Sequence, residues 1–210
     1  MKKRILCFGD SNTWGYIGGT AERFDEDVRW TGRLQKLLGD EYVVVEEGHN
    51  GRTTVWDDPV ENRLAGLTYL WPCMDSQSPF DLIIIMLGTN DSKIYFNVTA
   101  RNIATSAGRL VSMAAMSDFG PGKSHPQVLL VAPPRVEYSD SLKDLFGEHA
   151  VEVSKGFSTE FKMIADELGC HFLDASEYAE PGSADGLHIT PESHERLAQV
   201  FYEKIKELNI

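Results

Sequence analysis

The sequence predicts a three-layer α/β/α sandwich on a five-stranded parallel sheet, and three observations carry that expectation. Five short, nearly continuous apolar runs recur along the chain, as strands buried on both faces do. The stretches between them repeat apolar residues at helical spacing. Connections are short, so strand and helix alternate, which implies right-handed crossovers and a sheet covered on both sides.

Taken in order, the first run, residues 5–8, is followed by Gly9-Asp10-Ser11. The second, residues 42–45, leads into Gly48-His49-Asn50-Gly51, and the third, residues 82–87, into Gly88-Thr89-Asn90-Asp91. Asn97-Val98-Thr99 has the form of a glycosylation sequon but reads better as the cap of a helix carrying Ile103, Ala107 and Leu110. The fourth run is residues 128–131. The segment at 133–148 that follows is long for a connection, and it reads as an ordered loop over the site or at a subunit interface, with Leu142, Leu145 and Phe146 as its apolar content. Phe157, Phe161, Ile164, Ala165 and Leu168 form one helical stripe before the fifth run, residues 171–173. The last helix starts where Thr190 can cap it and Pro191 loses no needed N–H, and it runs to about Leu208.

The whole chain bounds its function class. At 210 residues, 42% hydrophobic and without a linker or repeat, it reads as a single domain over 1–210. A net charge of −12 repels phosphate backbones, so nucleic acid is not an expected partner, and small neutral substrates fit better. Lys2-Lys3-Arg4 resembles the start of a signal peptide, but Gly9-Asp10 interrupts the apolar run after four residues. No stretch approaches the roughly 18 apolar residues of a membrane helix. Three widely spaced cysteines suggest neither a disulfide framework nor a zinc site. The expectation is a soluble cytoplasmic protein with no membrane insertion, no metal and no cofactor. Gly122-Lys123-Ser124 lacks the first glycine and the preceding strand of a phosphate loop, and His188 and His194 are not on one helical side, so neither suggests a ligand site.

In doubly wound sheets ligands bind beyond the carboxyl ends of the strands, so the chemistry belongs in the segments that follow the runs. Ser11 stands after the first, Asn90 after the third, and Asp185-Gly186-Leu187-His188 comes after the fifth, before the capped helix. A serine hydroxyl attacks at neutral pH only if an imidazole takes its proton and a carboxylate orients that imidazole. Asp185 and His188, three residues apart, supply both. An acyl transfer also needs donors for the oxyanion, and the N–H of Ser11, the N–H of Gly51 and the amide of Asn90 are candidates, with Asn50 or another N–H the alternative to Gly51. Asp10 and Asp91 read as acids that pin their loops through backbone N–H groups. Trp14 and Lys93 are candidate substrate-binding residues, with a packed surface aromatic the alternative for Trp14.

Taken together, Gly9-Asp10-Ser11, Gly51, Gly88-Thr89-Asn90-Asp91 and Asp185-x-x-His188 resemble the blocks of the SGNH (GDSL) hydrolase family. The strings from Ile5 to Ser11 and from Ile84 to Asp91 are similar to its arylesterase and acyltransferase branch. The resemblance implies a flavodoxin-like fold, Ser11 as nucleophile, His188 as base, Asp185 as its orienting acid, and Gly51 and Asn90 in the oxyanion hole. It further implies a small-molecule ester substrate with a short acyl chain, transfer to alcohols in some relatives, and a homo-oligomer. Two enzymatic alternatives, a thioesterase and a lysophospholipase, would need a long apolar groove. A non-catalytic small-molecule binding domain on the same rim is the reading from a different class.

Overall fold

The computed structural model describes residues 2–63 and 65–210. Five parallel strands, β1 (Lys3–Gly9), β2 (Tyr42–Gly48), β3 (Leu82–Met86), β4 (Gln127–Ala132) and β5 (His171–Asp174), lie in the order β2-β1-β3-β4-β5. The sheet is sandwiched between two helical layers, as expected for the predicted fold class.

Alternation along the strands builds both cores, because successive side chains point to opposite faces. In β1, Leu6 and Phe8 join Ile83 and Ile85 of β3 under α3 (Gly66–Gln77), α4 (Ala100–Ala115) and α6 (Phe157–Leu168), the last preceded by the short α5 (Gly147–Lys155). Ile5 and Cys7 join Ile84 and Leu129 on the other face, under α2 (Trp30–Leu38) and α7 (Pro191–Glu207). Both faces are covered, and the central strands are therefore apolar without a break. Phe157, Phe161, Ile164 and Ala165 are buried as the helical stripe requires, whereas Leu168, at the end of α6, is exposed.

The edge strand β2 differs from the expected run. It continues past Val45 through Glu46 and Glu47 to Gly48 and is only half-buried beyond Tyr42. An edge strand tolerates carboxylates because the layers do not close over it. Arg29 holds Glu46 with two bonds of 2.9 Å, and Gln77 Nε2 donates to Glu47 at 2.6 Å.

Helix starts follow local chemistry. Thr99 caps α4 and exchanges bonds with Asn102, and Thr190 accepts from the Ser193 N–H at 3.2 Å while Pro191 fills the first helical position of α7. Among the described residues no helix is long and apolar enough to cross a membrane.

The order places β1 between β2 and β3, so chain direction across the sheet reverses there. In register, Gly9 lies beside Gly48 on one side and Met86 on the other. Three strands thus end level and deliver residues 11, 51 and 90 to one rim, at the switch point where such sheets leave a crevice.

Candidate active site

Ser11 opens a single-turn helix, α1 (Ser11–Trp14), directly after β1. Asp10 caps it, its Oδ1 accepting from the Asn12 N–H at 2.9 Å. First-turn amides of a helix have no partner within the helix, and the Ser11 N–H has no acceptor among the described residues. Gly9 cannot be larger: a Cβ there would lie 2.0 Å from Thr13 Oγ1.

The loop before α7 brings His188 to this serine. Asp185, a carboxylate, can only accept, so His188 Nδ1–H donates to its Oδ2 at 2.7 Å. That leaves Nε2 free to accept from the Ser11 hydroxyl at 3.0 Å. The other oxygen, Oδ1, accepts from the Leu187 and His188 amides, both at 3.0 Å. Burial pushes the Asp185 carboxyl upward, but the His188 ring and these amides outweigh it and hold it at about 2. The acid therefore stays ionised throughout the range in which the imidazole would work.

Asn12 clamps this loop in place. Its Oδ1 accepts from the Ile189 N–H at 3.1 Å and its Nδ2 donates to the Leu187 carbonyl at 3.3 Å. The residue next to Ser11 thus grips the two residues on either side of His188. Sequence reasoning passed over Asn12, since nothing in its local pattern marks a contact with a loop at the far end of the chain.

Gly51 and Asn90 line the same cleft as Ser11. Gly51 has φ +77°, a conformation side-chain-bearing residues rarely adopt, and its N–H has no acceptor among the described residues. Asn90 lies in a short 3₁₀ turn after β3, and its Nδ2 donates one bond, 3.2 Å, to the Arg52 carbonyl. Asp91 ties the two loops, accepting from the Thr54 N–H at 2.9 Å and from its hydroxyl. Asp10 and Asp91 both serve as loop anchors, Asp91 for a neighbouring loop rather than its own. Burial, the largest influence, raises each carboxyl to about 6 despite its hydrogen bonds.

The cleft over Ser11 has a volume of about 280 Å³, just under the roughly 300–1,000 Å³ of ordinary ligand pockets. One wall is apolar, from Leu142, Leu145, Phe146 and Leu187, and the other is polar, from Asn50, Glu61, Arg63 and Asn90. The segment at 133–148 therefore lies over the site. It is fastened there by Glu137 N–H to the Gly186 carbonyl and Ile94 N–H to the Leu145 carbonyl, both 2.8 Å. Phe146 is buried, and Leu142 and Leu145 are half-buried, within the single chain.

Trp14 does not line this cleft. Its ring lies 5.0 Å from the Arg23 guanidinium, over the exit of β2. Tyr16 lines it instead, with its ring 4.3 Å from that of His188. Lys93 does line the cleft, but its buried ammonium is engaged by Asp58 at 2.7 Å and by Glu61. Tyr95 donates to the same Asp58 at 2.6 Å. Asp58 feels burial most strongly, yet its bonds from Lys93 and Tyr95 bring its carboxyl below the ordinary value. The cation therefore braces the polar wall. Among the described residues no group of His, Cys, Asp and Glu side chains has the arrangement of a metal site.

The model of the GDSL-like lipase/acylhydrolase family matches residues 7–196. The chain belongs to that family. This GDSL-like hydrolase is similar over nearly its whole length to solved structures. A carbohydrate acetylesterase from Sinorhizobium meliloti is 39% identical, with a TM-score of 0.93, covering 99% of this chain and 100% of that one. An aryl esterase from M. smegmatis is 38% identical, with a TM-score of 0.92, covering 98% and 99%. A second carbohydrate acetylesterase family member from Sinorhizobium meliloti is 32% identical, with a TM-score of 0.92 and 98% coverage of both chains. No curated protein matches the sequence. The GDSL-like hydrolase is a carboxylic ester hydrolase.

Proposed function

We propose that the enzyme hydrolyses short-chain acyl esters through an acyl-enzyme on Ser11. The observation that carries this reading is the unbroken chain from Ser11 Oγ through His188 to Asp185, with bonds of 3.0 and 2.7 Å, inside the reach that proton transfer requires. Ser11 Oγ attacks the ester carbonyl carbon as its proton passes to His188 Nε2. The carbonyl oxygen becomes an oxyanion among the Ser11 and Gly51 amides and Asn90 Nδ2, donors of the kind worth about 10²–10³ in rate each. The intermediate collapses, the C–O bond to the alcohol breaks, and His188 returns the proton to the departing oxygen. Water repeats the sequence and frees the carboxylic acid and Ser11. An alcohol entering in place of water gives a new ester.

The small cleft volume supports acetyl-sized acyl groups over long chains, which would need a groove that the lining residues do not form. The relatives support the same substrate range, one group being aryl esters and the other acetylated carbohydrates. The test is hydrolysis of p-nitrophenyl esters from acetate to long acyl chains by the parent and by Ser11→Ala. Acetate is expected to be turned over fastest, with kcat lowered about 10⁴-fold or more in the variant. Equal rates in both proteins would remove Ser11 from the mechanism.

A further inference from the structure

A second cavity, of about 460 Å³, adjoins the cleft on its polar side. Its lining includes Glu47, His49, Arg52, Asn62, Arg63 and Tyr69. Arg63 lines both hollows, and Gly48 and His49 lead directly into Asn50 and Gly51 of the cleft. A Cβ on Gly51 would lie 3.1 Å from Arg63 Cγ, so this arginine stands beside a candidate oxyanion donor. A larger hollow of about 680 Å³ between α2 and α7 shares no residue with the cleft.

We propose that this second cavity is the subsite for the leaving alcohol of the ester, and that it takes a polyhydroxylated, sugar-like group. The inference rests on the esterase reading above.

Tyr69 supplies a flat platform. It is 42% exposed, so one face is open to a ligand, while its ring stacks on Phe8 at 6.4 Å and 19° and lies 5.4 Å from the Arg52 guanidinium. The ring is thus held from behind and presents an apolar surface with a polar tip, as recognition aromatics do. Arg52 itself is occupied, donating to the Gly9 carbonyl at 2.9 Å and to the Glu47 carbonyl.

The remaining groups suit hydroxyls better than a charge. Asn62, held at φ +53°, brings both a donor and an acceptor to the cavity. Burial, together with the nearby Arg52 and Arg63 charges, pushes the His49 imidazole below its ordinary value. It therefore stays neutral near pH 7, with one donating and one accepting nitrogen. Arg63 has no ion pair among the described residues. An anionic alcohol would gain from Arg63 but would meet the Glu47 carboxylate in the same space, whereas a neutral polyol can use donors and acceptors alike. With the acyl group in the smaller cleft, the ester bond would cross from one hollow to the other near Ser11.

The experiment compares p-nitrophenyl acetate with glucose pentaacetate in the parent, Asn62→Ala and Tyr69→Ala, with a thermal melt confirming that each variant is folded. The parent should hydrolyse both esters, and each variant should lower the ratio of kcat/KM for the sugar ester to that for p-nitrophenyl acetate about tenfold. Should Tyr69→Ala fail to fold, Tyr69→Leu, which keeps bulk over Phe8 and lacks the flat ring and its polar tip, takes its place beside Asn62→Ala. An unchanged ratio in folded variants overturns the subsite. A parent that hydrolyses p-nitrophenyl acetate and not glucose pentaacetate also overturns it, while leaving the esterase reading intact. A parent inactive on both overturns the two together.

Discussion

Both carboxylate oxygens of Asp185 are occupied, one by the His188 ring and the other by two backbone amides. The side chain therefore fixes the loop as well as the tautomer of the imidazole. Asp185→Asn keeps an acceptor for the amides but turns an NH₂ group toward the ring, or forces the proton onto Nε2, where it cannot accept from Ser11. The expected outcome is a kcat about 10⁴-fold lower with KM little changed and melting temperature close to the parent's, read from p-nitrophenyl acetate kinetics and a thermal scan. A variant whose kcat fell less than tenfold would show that His188 needs no such partner. At this scale the sequence told a partial story. The meeting of Ser11, Asp185 and His188 was legible because serine hydrolysis would require three residue types, and the short Asp-x-x-His spacing signals two of them. Asn12, Tyr16 and Arg63 were not, because their contacts are made across the fold and leave no periodic trace. Trp14 was misplaced for the same reason: the turn of α1 brings Tyr16, not Trp14, toward the imidazole.

At the level of elements, the site hangs on how two short segments are stopped and started. α7 begins three residues beyond His188, and Thr190 sets that start. Thr190→Ala should lower stability by about 1 kcal/mol, measured as a shift of the urea midpoint without a change in m. Activity per folded molecule should stay within a few-fold, since Asn12 still grips the loop at Leu187 and Ile189. The cap was readable because Thr-Pro before an apolar helical pattern has a local mechanism. The central strands were readable for an equally local reason, being continuous apolar runs. β2 was read short because two glutamates look like a strand's end. They are carried on an edge strand whose exposed faces let Arg29 and Gln77 reach them, a fact that depends on strand order and not on the residues themselves. The loop at 133–148 could be seen as long and apolar, but only its bonds to Gly186 and Ile94 show that it lies over the cleft.

Across the whole molecule, three buried titrating groups shape how stability depends on pH. His194 is buried between α2 and α7, and burial, with the Arg33 and Arg29 charges, lowers it to about 3. Below its unfolded value of about 6.5, the unfolded chain takes up a proton that the folded one refuses, so this contribution is lost as pH falls from about 6.5 toward 3. Asp10 and Asp91 act oppositely. With both raised to about 6, the folded protein keeps protons that the unfolded chain releases above about 4, and their effect weakens the fold as pH rises from about 4 to 6. His194→Gln should therefore gain about 1–3 kcal/mol relative to the parent between pH 7 and pH 4.5, in urea unfolding at the two values. A gap that stays constant with pH would mean that His194 takes up its proton in the fold as readily as in the unfolded chain.

The Asn12 clamp also has a meaning in time. Ser11 and His188 are 177 positions apart, and the side chain next to the first holds the loop that carries the second. A ribosome makes the proposed nucleophile well before its proposed base. On the mechanism proposed above, until the loop has emerged and closed onto Asn12 the nascent chain carries a serine no more reactive than any other, so ester hydrolysis waits for two segments distant in sequence to meet.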